Sequence, residues 1–315
     1  MDHASKPAIL DDGPVGVSTA ARLLRDGLLV AVPTETVYGL AARADRDESV
    51  ASIYRAKGRP SFNPLIVHVA DLASAQALAH FDAEALSLAA AFWPGALTMV
   101  LPLREGAPIA AAVTAGLPTL ALRCPAHGVM RAVIAETGLP LAAPSANRSG
   151  GVSPTEAAHV FASLGANVDA VIDGGACEAG LESTIVALRG GGRWQVLRPG
   201  PITEARIAAV LGTASEPVTS QAIEAPGQLA SHYAPGKPVR LDATTVEADE
   251  FHIGFGAVAG DATLSATGDL AEAAARLYAV LHEAAAAAKP RIAVAPIPAG
   301  DIGEAINDRL RRAAA

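Results

Sequence analysis

Cysteine is nearly absent: Cys124 and Cys177 are the two in 315 residues. They lie far apart and without metal-ligand spacing, which excludes a disulfide framework and a zinc site and fits a reducing, cytoplasmic setting. Aromatic residues are also scarce, with six Phe, four Tyr and two Trp, so no stacking platform for single-stranded nucleic acid is evident. Positive charge is the minority sign. Lys and Arg number 24 against 32 Asp and Glu, a formal net charge of -8, which argues against a protein that coats nucleic acid by charge and leaves room for a local basic cleft. No P-loop consensus occurs, so a nucleotide would have to be held by another device. The N-terminal "MDHASKPAILDDGP" has neither a basic n-region nor an apolar h-region, and no secretory signal is expected. One uncharged window, "LSLAAAFWPGALTMVLPL", has the length of a membrane span, but "WPG" breaks it. Its halves read as a helix, "AEALSLAAAF", and a strand, "ALTMVLPL", and no membrane partner is expected.

What is present is apolar: 51% of residues are hydrophobic and 18% charged, enough to bury a full core in one large domain and one small one. Helices and strands alternate. "GVSTAARLLRDG" reads as a helix starting near Ser18 or Thr19, followed by the strand "LLVAVP". "DESVASIYRAKG" is a helix closed by Gly58, and "PLIVHV" a strand. "TLALRCP" and "LPLAAPSAN" are further strands, with the helix "HGVMRAVIAETG" after the first. "SPTEAAHVFASLG" opens as a helix start; "DAVIDGG" is a strand, and "STIVALRGGGRWQVLRPG" a hairpin turning at Gly190 to Gly192. This mixture predicts an α/β fold with a mixed sheet. Residues 1–212 are expected to form the main domain. A Pro-, Ser-, Thr- and Gly-rich linker spans 213–238, and a small α/β domain 239–315. In the latter, "GFGAVAG" only approximates a dinucleotide fingerprint, because its third glycine comes one residue late.

The stretch "IYRAKGRPSFNPLIVHV" sets Arg55, Lys57 and Arg59 on alternate positions at a chain reversal, with His68 in the strand that follows. Cations at a helix C-terminus complement its dipole, so a capped helix explains much of this. An anion site is the competing explanation. It is favoured by "VPTETVYGLAA", whose polar Thr34, Glu35, Thr36 and Tyr38 leave a buried strand where α/β proteins bind ligands. "APSANRSGGVSPT" adds Ser145, Asn147, Ser149 and Ser153 around Gly150 and Gly151, small residues that let backbone N–H groups approach an anion, or simply a surface loop.

Together, "PTETVYGL", "KGRPSFNPL", "PSANRSG", "ESTIV", "LRPGPIT" and "SHYAPGKP" closely resemble, in order, the threonylcarbamoyl-AMP synthase family with its YrdC-like core, in the longer two-domain form. The resemblance implies a YrdC-like twisted mixed sheet with flanking helices and a small C-terminal Rossmann-like α/β domain. It implies that L-threonine, bicarbonate and ATP give threonylcarbamoyl-AMP and pyrophosphate, with Mg2+ accompanying ATP. The product would serve a separate tRNA-modifying transferase complex. The family's Lys-x-Arg and Ser-x-Asn signature falls on Lys57, Arg59, Ser145 and Asn147. Its ATP contacts fall on Arg59, Asn63, Thr119, Ser145, Ser153, Arg198 and Tyr233. Its threonine contacts fall on Thr36, His68, Arg123, Ala143 and Ser183. Tyr233 lies in the linker, which implies a lid. Other functions considered on the same fold are an RNA-binding module without synthase activity and a carbamoyl-transfer enzyme.

Overall fold

The computed structural model of the chain describes residues 7–219, 223–229 and 231–315. The parts of the expected linker at 220–222 and 230 lie outside the described residues. Ten strands form the main sheet: β1 (Ala8–Asp11), β2 (Val30–Val32), β3 (Gly39–Arg43), β4 (Ile66–His68), β5 (Leu97–Pro102), β6 (Thr119–Arg123), β7 (Leu141–Ala142), β8 (Ala170–Asp173), β9 (Thr184–Gly190) and β10 (Arg193–Arg198). Their order is β1-β8-β2-β3-β7-β4-β6-β5-β9-β10. Parallel pairs such as β4 with β6 occur together with antiparallel ones such as β3 with β7, so the sheet is mixed, as the sequence pattern predicts.

Strand alternation assigns the two faces. Ala31, Leu40, Val67, Met99, Leu122 and Val186 all point into the principal core. The opposite face is divided. Val30, Val32 and Ala41 pack there with Leu24 and Val133 from the helices Pro14–Arg25 and Gly128–Thr137. At the far end Ile66, Val100, Ala121, Ile185 and Leu197 pack against Ala225 of the linker. Between these two patches the sheet is left open to form a crevice.

Several local expectations shift. The first helix begins one turn before Ser18, with Gly13 as its cap and Pro14 in the first turn, because proline has a preset φ and no N–H to satisfy. The helix expected to open at Ser153 runs Ala157–Leu164 instead, since the Pro154 carbonyl accepts from Tyr38 N and the Thr155 carbonyl from Cys177 N. Of "LPLAAPSAN" only Leu141–Ala142 is strand. "GLAAR", unremarkable in sequence, becomes β3 because it is paired on both sides, by β2 and β7.

A second sheet contains β11 (Val239–Arg240), β12 (Glu250–Gly254), β13 (Ala262–Thr263) and β14 (Arg291–Val294) in the order β11-β14-β12-β13, all parallel. The helices Leu270–Ala286 and Gly303–Ala313 complete this Rossmann-like unit. After β12 the "GFGAVAG" loop turns into β13 rather than opening a helix, unlike a dinucleotide fingerprint. The two units share a core: Val37, Val152 and Leu181 pack with Leu277, Tyr278 and Leu281. Gly180 makes this approach close. It has φ +64°, and a Cβ there would sit 2.3 Å from the Ala275 carbonyl oxygen.

His159 and His282 stack across the same interface, with ring centroids 3.9 Å apart, and His282 Nε2 meets the Ser153 carbonyl at 3.1 Å. Burial lowers both imidazoles, and His159 lowers that of His282 further, to about 4. Between pH 6.5 and 4 the unfolded chain therefore binds a proton that folded His282 refuses, and stability falls as pH falls. The expected loss from this residue is about 3 kcal/mol, from 1.36 kcal/mol per pH unit. Denaturant unfolding across that range should show a shallower pH dependence for His282→Phe, which keeps a stacked ring. An unchanged slope would remove the residue from the account.

Candidate active site

The crevice opens at the C-terminal ends of β4 and β6, where parallel register places His68 beside Arg123. The β2–β3 turn supplies Thr34 and Thr36, and the segment after β7 supplies Ala143, Pro144 and Ser145. Arg59 follows the helix Asp47–Lys57, Ser183 precedes β9, and Arg198 ends β10. Pro226, Gly227, His232 and Tyr233 of the linker close the remaining side.

Each arginine is held by part of its fork. Arg123 Nη1 donates to Thr36 Oγ1 at 2.9 Å and Nε to the Gly95 carbonyl at 3.1 Å. Its Nη2 approaches Glu35 Oε1 to 2.6 Å, off the hydrogen-bonding direction. Burial raises the Glu35 carboxyl pKa, but Arg123 outweighs it, so the net shift is downward and Glu35 stays ionised. Arg59 donates through Nε and Nη2 to Asn63 and Pro64, which leaves Nη1 unclaimed among the described residues. Burial lowers its pKa to about 10, so it remains a cation at neutral pH. Arg198 donates to the carbonyl and hydroxyl of Ser183, and the hydroxyl in turn meets Thr98 Oγ1 at 2.7 Å.

His68 is 3% exposed and its Nδ1 has no partner among the described residues. Burial and the adjacent Arg123 lower its pKa to about 3, so the ring is neutral at physiological pH. The Tyr233 hydroxyl is likewise buried and unpartnered, and its backbone is left-handed at φ +63°. Buried orphan groups beside partly free guanidinium forks suit a small polar anion.

Nine of the fourteen site residues implied by the family resemblance line this crevice: Thr36, Arg59, His68, Arg123, Ala143, Ser145, Ser183, Arg198 and Tyr233. Five do not. Lys57, 3% exposed, donates from Nζ to the carbonyls of Ser145, at 2.5 Å, and Asn147. Asn147 bridges its own loop through Nδ2, to the carbonyls of Arg148 and Gly151. Asn63 holds Arg59 through Oδ1 at 2.7 Å. Ser153 donates to Glu182 Oε1 at 2.5 Å. Thr119 shares the crevice face of β6 with Arg123, at the opposite end of the strand. Glu182 and His232 also line the crevice; they lie inside "ESTIV" and "SHYAPGKP", but are not among the contact residues those motifs imply. Tyr38, grouped with the polar exit of β2, points away and donates to the Gly175 carbonyl.

A family model described as "Telomere recombination", covering Sua5, YciO and YrdC, matches residues 22–200. A second, "Threonylcarbamoyl-AMP synthase, C-terminal domain", matches residues 202–315. The chain belongs to the threonylcarbamoyl-AMP synthase family. Within that family it is 45% identical over 230 residues to the Bacillus subtilis threonylcarbamoyl-AMP synthase and 42% over 231 residues to the Pyrococcus abyssi one. Each alignment covers 71% of this chain and 66% of the relative. The fold superimposes on the crystal structure of P. abyssi Sua5 complexed with L-threonine with a TM-score of 0.89 at 33% identity, over 98% of both chains. Among the described residues no helix is long and apolar enough to cross a membrane.

Proposed function

We propose that this member of the family is an L-threonylcarbamoyladenylate synthase, a nucleotidyltransferase that makes threonylcarbamoyl-AMP and pyrophosphate from L-threonine, bicarbonate and ATP. The observation that carries the reading is the meeting of Arg59, Arg123 and Arg198, from three separate elements, around a neutral buried imidazole in one crevice. Threonine's carboxylate takes the Arg123 N–H directions that Gly95, Thr36 and Glu35 leave unused, and Thr36 and Ser183 orient its hydroxyl and amine. Neutral His68 accepts a hydrogen bond from the amine rather than repelling it. The phosphates take Arg59, Ser145 and Arg198, with Thr119 further along the β6 face. Asn63, Lys57 and Asn147 build the loops that present these groups, and Ser153 acts through Glu182.

The neutral amine of threonine first adds to the bicarbonate carbon; the C–OH bond breaks and the hydroxyl, with one amine proton, leaves as water, giving N-carboxythreonine. A carboxylate oxygen then attacks the α-phosphorus; the new O–P bond forms as the bond to the β-phosphate oxygen breaks, and pyrophosphate leaves. Charge gathering on the phosphate oxygens meets fixed guanidinium groups that need no reorganisation. Among the described residues no group of three or more His, Cys, Asp and Glu could hold a metal ion; Mg2+ enters as part of the MgATP substrate. The product passes to a transferase complex acting on tRNA in the cytoplasm. The test is pyrophosphate release from ATP, expected only with threonine and bicarbonate both present. Equal release with threonine omitted, or with any amino acid, would overturn the substrate assignment.

A further inference from the structure

The small domain reaches the crevice through two side chains that the sequence motifs do not contain. Arg309, on the helix Gly303–Ala313, is fully buried. Its Nε donates to Glu182 Oε2 at 3.0 Å, its Nη2 to the Pro199 carbonyl at 2.9 Å, and its Nη1 pairs with Asp308 at 2.6 Å. Tyr278, on the helix Leu270–Ala286, donates its hydroxyl to the same Glu182 oxygen at 2.8 Å. With Ser153 on Oε1, both oxygens of this crevice carboxylate are taken. The same two residues also bear on Tyr233: the Arg309 guanidinium lies 5.2 Å from the ring centroid, and the Tyr278 ring stacks on it at 5.6 Å.

We propose that Arg309 and Tyr278 are positioning residues for adenylate formation, through which the C-terminal domain fixes the Glu182 carboxylate and the Tyr233 ring in the wall of the crevice. The inference rests on the synthase reading above. Its physical core is competition. Glu182 lines the same crevice as Arg59 and Arg198, the cations assigned to phosphate. A carboxylate free to turn would pair with those arginines and displace an anionic ligand from them. Bound from behind by a guanidinium and a phenol, it cannot. Tyr233 needs the same help, because its left-handed backbone is strained and its hydroxyl has no partner among the described residues. Backbone hydrogen bonds from His232 and Ala234 pin the chain on either side, and packing against Arg309 and Tyr278 orients the ring. The small domain is thus a buttress of the chemical site.

The pH behaviour gives an independent handle. Burial raises the Glu182 carboxyl pKa, but Arg309 first and then Arg198, with the Ser153 and Tyr278 hydroxyls, bring it down to about 2. Lys57 and His232 also face this charge. Removing Arg309 takes away the largest opposing influence, so the carboxyl pKa rises and a protonated fraction appears on the acid side of neutrality.

The experiment is steady-state pyrophosphate release by the full-length chain, with ATP varied at saturating threonine and bicarbonate. Tyr278→Phe keeps the ring and deletes one hydrogen bond; kcat/KM for ATP should fall about 3- to 10-fold while KM for threonine holds. Arg309→Gln should fall by more than that and acquire an acid-side decline in its pH–rate profile that wild type lacks. Arg309→Lys should recover part of the loss. ATP parameters and pH profiles equal to wild type in both Tyr278→Phe and Arg309→Gln, at wild-type Tm, would overturn the proposal. If Arg309→Gln does not fold, Tyr278→Phe and Arg309→Lys decide by the same criterion. Should wild type itself show no threonine-dependent release, the synthase reading fails. Calorimetry with a non-hydrolysable ATP analogue then decides separately: weaker binding by the variants supports the buttress, and equal binding overturns it.

Discussion

Arg123→Ala should lower kcat/KM for threonine by about 100- to 1,000-fold, an expected loss of roughly 3–4 kcal/mol in transition-state stabilisation. Two effects act in the same direction. The substrate carboxylate loses its charged fork, and Glu35, now 2.6 Å from a guanidinium, becomes a half-buried carboxylate without its cation beside the pocket. Calorimetry should show threonine binding abolished while ATP binding stays close to wild type, which separates the substrate pocket from the nucleotide side. Arg123→Lys keeps charge without the planar fork and should recover little. A threonine-dependent rate within about threefold of wild type would be below the range expected for a lost charge-assisted contact, and would move the carboxylate site elsewhere.

Lys57→Ala carries the largest expected stability effect, about 3 kcal/mol, the scale for truncating a long buried side chain and stranding its hydrogen-bond partners. The Ser145 and Asn147 carbonyls would each lose a donor. Burial and the nearby Arg59 lower the Lys57 pKa well below the usual lysine value, with Glu182 opposing the shift, so removing it also relieves some desolvation and the net loss stays moderate. Tm should drop by several degrees, and turnover should fall with it because the Ser145 loop loosens. Lys57→Met, which fills the space without donating, should lie between wild type and alanine. Turnover lost at full Tm would instead place the ammonium in direct contact with the triphosphate.

These two residues mark how much was legible in advance. Alternation and helical spacing are local signals. They located the helix Asp47–Lys57 with its Gly58 cap and the β9–β10 hairpin. The motif residues at strand ends fell on the crevice for a related reason: a strand that enters the sheet must leave it at an edge, and that is where ligands are met. Lys57 and Arg59 share one motif, yet the chain reversal at Gly58 turns the first inward to the Ser145 and Asn147 carbonyls of a distant loop and the second toward the crevice. Spacing alone does not distinguish those outcomes.

By itself the sequence determined the family, the alternation of elements and most of the crevice-lining residues, since each depends on neighbours a few positions apart or on short motifs. Only the tertiary structure decided which charges are buried. "NDRLRRAAA" offers three arginines on one amphipathic helix. Arg309 alone is fully buried, because beside its neighbour Asp308 it meets a second, buried carboxylate, Glu182, 127 positions away. Burying a charge is tolerable only where a partner already waits, and the fold supplies the partner.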